Sequence, residues 1–175
     1  VLDPSNSKRI LLGALGDFDT IDSMFNQAGG LLESKDGGET WNQILTDEVN
    51  AYVHDIAIDP TDPNTIFYVT SSQKGANQDA SLLTKGLVYK TVDGGKTWRE
   101  LNTGILPNTG AQNIHINSKN PKQLIVTSST FARNASGGRM AGTETLGILT
   151  TNDGGETWQG IKSLPEGDGT VLVSF

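Results

Sequence analysis

The chain contains no cysteine among its 175 residues, which excludes disulfides, thiolate metal ligands and a cysteine nucleophile. Aromatic residues are scarce at 6%, and Lys and Arg number 13 against 20 Asp and Glu. The formal net charge of -7 gives a surface that repels phosphate backbones, so nucleic acid is not an expected partner. No apolar run approaches the ~20 residues of a membrane-spanning helix, and neither end reads as a signal or transit peptide. No segment keeps a helical period either. What the chain does have is glycine, 21 residues of it, as suits a domain with many tight turns.

Self-similarity dominates the sequence. Residues 34–41 read SKDGGETW, 91–98 read TVDGGKTW and 151–158 read TNDGGETW, so the aspartates at 36, 93 and 153 recur at steps of 57 and 60. A second element keeps that step: LDPSNSKRILLG at 2–13, IDPTDPNTIFYV at 58–69 and INSKNPKQLIVT at 116–127. A short apolar segment precedes each box, beginning at Gly30, Gly86 and Gly147. Three elements in one order, three times over, define a repeat of about sixty residues.

Each repeat reads as four short strands. In the second, the β-branched run Val53 to Asp59 predicts an inner strand, and Ile66 to Thr70 predicts the next across a TDPN turn. Leu87 to Thr91 and Thr97 to Leu101 predict the third and fourth, joined by the DGG turn. Adjacent Asp and Gly supply local side-chain hydrogen bonds and positive φ, which a tight hairpin needs. Four-stranded antiparallel units in series predict propeller blades.

The pattern S/T-x-D-G-G-x-T-W resembles the Asp-box, or BNR repeat, of sialidases, xyloglucanases, sortilin-type receptors and other β-propellers. The matching positions are Asp36, Gly37, Gly38, Thr40 and Trp41, then Asp93, Gly94, Gly95, Thr97 and Trp98, then Asp153, Gly154, Gly155, Thr157 and Trp158. The resemblance implies an all-β fold of four-stranded antiparallel blades. Three are expected, over about 1–52, 53–112 and 113–170, with 171–175 starting another. Propellers close with four to eight blades, so three imply part of a six- to eight-bladed ring. The expected partners are the remaining blades of the same parent protein or a second copy.

The box aspartates are expected to be scaffold, each carboxylate accepting N–H groups of its own turn. The tryptophans are expected to pack the outer hairpin of each blade, where an indole buries ~150–250 Å². The resemblance places the boxes away from the ligand face, which directs attention to the loops 14–29, 71–85 and 128–146. In the first, Asp17, Asp19 and Asp22 offer alternating carboxylates for a glycosidic acid and base, or for Ca²⁺, or simply a solvated acidic loop. Phe18 and Phe25 can stack on a sugar or anchor that loop. Tyr52, His54 and Asp55 enter an innermost strand near the channel mouth, and Arg133 and Arg139 are the long basic side chains of the third loop. Asn134-Ala-Ser fits a glycosylation sequon. No other metal ligand set and no other cofactor motif is present.

Two functions stay open. One is a secreted, extracellular or periplasmic propeller directed at glycans, either binding them or cleaving them with paired carboxylates. The other is a non-catalytic scaffold that binds a protein, as sorting receptors and assembly factors do.

Overall fold

The computed structural model describes residues 1–14, 30–45, 53–70, 88–104, 110–129 and 148–161. Among the described residues there is no helix. Twelve strands form three four-stranded antiparallel sheets, each built from consecutive strands. The first sheet holds β1 (Leu2–Asp3), β2 (Asn6–Ala14), β3 (Gly30–Ser34) and β4 (Asn42–Gln43). The second holds β5 (Val53–Asp59), β6 (Asp62–Thr70), β7 (Val88–Thr91) and β8 (Arg99–Glu100). The third holds β9 (Gly110–Ile116), β10 (Leu124–Ser129), β11 (Ile148–Thr151) and β12 (Gln159–Gly160). This is the all-β, three-bladed partial propeller expected from the repeat.

Local chemistry sets the strand ends. Between the first two strands of each blade, the side chains of Asp3, Asp59 and Asn117 accept the N–H two residues on, from Ser5, Thr61 and Lys119 at 2.8, 2.8 and 2.9 Å, closing the turn. In β5 the buried residues are Val53, Ile56 and Ile58, an odd step that a bulge between Val53 and Asp55 accommodates. Two strand limits differ from expectation. Strand β6 begins at Asp62, directly from its turn, and β8 spans only Arg99–Glu100. The Thr97 N–H is held by Asp93 Oδ1 at 3.0 Å, which keeps Thr97 in the hairpin turn and out of the ladder.

The core lies between blades, because a strand sandwiched by two neighbours buries both faces. In β6, Ile66 and Tyr68 face the first blade and join Leu11, Leu31, Leu45, Val53, Ile56 and Ile58. Phe67 and Val69, on the opposite face, join Val88, Leu101, Ala111, Ile114, Leu124, Val126, Leu149 and Trp158. The alternation of the central strand therefore serves two cores at once. The tryptophans belong to these cores and reach beyond their own hairpins. Trp158 Nε1 donates to the Leu101 carbonyl of the preceding blade at 2.8 Å. Trp98 packs edge-on against Tyr68, 4.8 Å between ring centroids, and Tyr68 stacks on Tyr89 at 4.7 Å.

Candidate functional site

The three DGG hairpins share one rim of the blades with the turns between first and second strands. The first glycine of each box donates its N–H to that turn's carbonyl, Gly37 to Lys8, Gly94 to Asn64 and Gly154 to Lys122, at 2.9, 3.0 and 2.9 Å. The antiparallel order then sends the remaining connections, after β2, β4, β6, β8 and β10, to the opposite rim.

On the box rim the chemistry is fully committed. Oδ1 of Asp36, Asp93 and Asp153 accepts the N–H of Thr40, Thr97 and Thr157 at 2.9–3.0 Å. The same threonines donate their hydroxyls to Oδ2, and Ser34, Thr91 and Thr151 donate theirs to Oδ1. Those three hydroxyls in turn accept the N–H of the second glycines at 2.8–3.1 Å. Both glycines of every box have φ between +75° and +99°, where a Cβ is strained. The hydroxyl bonds, from Thr40 foremost for Asp36, Thr91 for Asp93 and Thr151 for Asp153, hold these carboxyls well below the usual carboxylate range. A carboxylate so held cannot serve as an acid near neutral pH.

A pH dependence follows. A depressed folded pKa contributes stability that is present above the unfolded value of 3.8 and lost as pH falls toward the folded value. The Asp36→Asn, Asp93→Asn, Asp153→Asn triple variant is expected to be less stable than the parent at pH 7, with the gap narrowing as pH drops below about 4. Urea midpoints between pH 7 and 2 check this. A gap that stays constant with pH would refute it.

On the opposite rim the described residues are the strand ends at Val53, His54, Thr70, Val88, Ala111, Asn113, Thr127 and Ile148. His54 is exposed, and desolvation by the surrounding chain lowers its pKa. Asp55 is half-buried, and both its oxygens are occupied: Oδ1 accepts Ile56 N–H at 2.9 Å and Oδ2 accepts Ile114 N–H at 3.0 Å. The carboxylate thus ties β5 to the innermost strand of the next blade. Nearby, Thr127 Oγ1 and Asn113 Oδ1 are 3.2 Å apart in a hydrogen bond. Asp17, Phe18, Asp19, Asp22, Phe25, Tyr52, Arg133, Asn134 and Arg139 lie outside the described residues. Among the described residues no cluster of three His, Asp or Glu could hold a metal ion, and no helix is long and apolar enough to cross a membrane.

One charged constellation has no counterpart in the repeat pattern. Arg9, in β2, donates Nε to Glu33 Oε1 at 2.7 Å and Nη1 to both Asp3 Oδ2 at 3.0 Å and the Pro63 carbonyl at 2.6 Å. Burial opposes the guanidinium charge, but the Glu33 and Asp3 bonds outweigh it and raise its pKa. The repeat carries Thr65 and Gln123 at this position, and that departure was the available signal.

Residues 29–166 match the family model described as Sortilin-Vps10, sortilin, neurotensin receptor 3. The chain belongs to the Sortilin-Vps10 family. A search of the curated proteins gave no match. Three solved propellers share the fold. An ancestral GH74 enzyme superposes with a TM-score of 0.61 at 18% identity, over 92% of this chain and 18% of its own. The Niastella koreensis GH74 enzyme gives 0.59 at 20% identity, over 91% and 22%. The GH74 xyloglucanase of Xanthomonas campestris gives 0.60 at 14% identity, over 95% and 23%. This Sortilin-Vps10 chain therefore spans about a fifth of the length of those enzymes.

Proposed function

We propose that these blades form part of a non-catalytic ligand-binding propeller, whose binding rim is the one opposite the boxes and whose ligand is a peptide or protein segment. The observation that carries this reading is membership, over residues 29–166, of a family described by a receptor. Two features support it. The box carboxylates are consumed by their own turns, and Asp55 is consumed by an inter-blade bond. Exposed polar groups at the strand ends, His54 and Asn113 among them, suit main-chain and side-chain recognition of an extended segment. The proposed setting is extracellular or periplasmic.

The second reading is a glycan-directed propeller. Its support is the loop carrying Asp17, Phe18, Asp19, Asp22 and Phe25, a composition that can pair an acid and a base beside stacking rings. Screening the chain against a random peptide library and a polysaccharide panel, with and without Ca²⁺, separates the two. Peptide binding weakened by His54→Ala and Asn113→Ala, with no polysaccharide bound or cleaved, is the expected result. Polysaccharide binding or cleavage lost in Asp17→Ala or Asp19→Ala would replace it.

A further inference from the structure

Equivalent positions in the three blades are buried very differently, and the pattern is one-sided. On the side facing the preceding blade, Ile58 and Tyr68 of the central blade are 8% and 3% exposed, whereas their first-blade counterparts Leu2 and Leu12 are 60% and 46% exposed. On the side facing the following blade, Phe67 and Leu101 are 1% and 3% exposed, whereas their third-blade counterparts Ile125 and Ile161 are only half-buried. The apolar residues are retained at both outward faces. What is missing is the blade that covers them.

The two internal interfaces show what such a blade presents. At each, the second box glycine of one blade sits on an aliphatic residue just after the fourth strand of the blade before it. A Cβ on Gly95 would lie 2.9 Å from Ile44 Cδ1, and one on Gly155 would lie 2.7 Å from Leu101 Cδ1. The box tryptophan packs beside that contact, and Trp158 takes the Leu101 carbonyl. In the first blade nothing of a neighbour approaches: the nearest atoms to a Cβ on Gly38 are Ile10 Cδ1 and its own Trp41, both at 3.8 Å.

We infer that the two outward faces are docking surfaces of opposite kind for further blades of the same polypeptide. The face of the first blade, with Leu2, Ile10, Leu12, Leu32 and Trp41, takes a fourth strand followed by an aliphatic residue that rests on Gly38. The face of the third blade, with Ile125 and Ile161, takes the second glycine and tryptophan of another Asp-box. Continuity with the two internal interfaces carries the assignment, since both join consecutive segments of one chain. The chain's span of about a fifth of its structural neighbours agrees with blades on either side. An uncovered face of this size would also be an aggregation hazard.

Adding a blade tests both faces. Residues 53–112 are appended after residue 170 in place of 171–175, and, separately, residues 53–114 are joined ahead of Val1. Ile125→Asp is expected to lower Tm by less than about 2 °C in the 175-residue chain but by more than about 6 °C in the C-terminally extended one. Leu12→Asp is expected to show the same contrast in the N-terminally extended chain. Equal small shifts in parent and extended chains, or added blades that stay unfolded, would overturn the proposal. So would a homodimer of the 175-residue chain by native mass spectrometry that Ile125→Asp dissociates, because a second copy would then be the occupant.

Discussion

Phe67→Ala is expected to destabilise the chain by about 3–5 kcal/mol, lowering Tm by more than about 6 °C. Phe67 is the largest fully buried side chain, 1% exposed in the centre of β6. Its ring lies in the core between the second and third blades, where it meets side chains from both. Lys90 Nζ sits 5.1 Å from the ring centroid and also donates to the Gly154 carbonyl of the third blade at 3.2 Å. Truncation therefore removes apolar burial, opens a cavity between two rigid sheets and takes away one wall around the ammonium. The sheets are each fixed by their own ladders, so they cannot collapse onto the void. The equivalent Ile125 faces outward and is half-buried, so Ile125→Ala should cost a small fraction of that. Urea denaturation of the two variants checks the contrast. Similar losses at both positions would mean that the blade interfaces are not the seat of stability.

That contrast also marks what the sequence makes legible. The DGG boxes declared their own conformation, because the pattern S/T-x-D-G-G-x-T-W encodes its whole hydrogen-bond set within eight residues. Strands β5, β6 and β7 were readable for the same reason, as β-branched and aromatic runs bounded by Asp-Pro and Asp-Gly turns. The partners of Trp158 were not. Its acceptor is a carbonyl 57 residues earlier, and nothing local specifies which blade an indole will face. Asp55 illustrates the limit at the proposed ligand rim. Beside His54 it reads as a functional pair, yet a bulge at Val53–Asp55 and the approach of Ile114 N–H, 59 residues on, give the carboxylate an inter-blade task. Contacts between repeats depend on the rotation from one sheet to the next, and a repeat pattern alone does not encode that rotation.

Arg9→Met is expected to be as damaging, about 3–5 kcal/mol, although the residue sits near the rim of the first blade. Its side chain is 12% exposed, and those of its partners Asp3 and Glu33 are 2% and 7% exposed. Removing the guanidinium leaves two buried carboxylates facing one another and strips the Pro63 carbonyl of its donor across the first blade interface. Lys35, at 3.2 Å from Glu33 Oε2 but 73% exposed, screens only part of that charge. Ser5 still donates its N–H and hydroxyl to Asp3 Oδ1, so Glu33 bears the larger loss. Arg9→Lys should recover little, because a single ammonium cannot direct donors to Glu33, Asp3 and Pro63 in the fork the guanidinium provides. Neutralising the stranded groups should recover more: the Arg9→Met, Asp3→Asn, Glu33→Gln variant is expected to regain at least half of the lost stability. Guanidinium denaturation of the series at pH 7 distinguishes the outcomes. If the triple variant is no more stable than Arg9→Met alone, the loss comes from the missing bond to Pro63 and the missing packing, and the uncompensated carboxylates are not its cause.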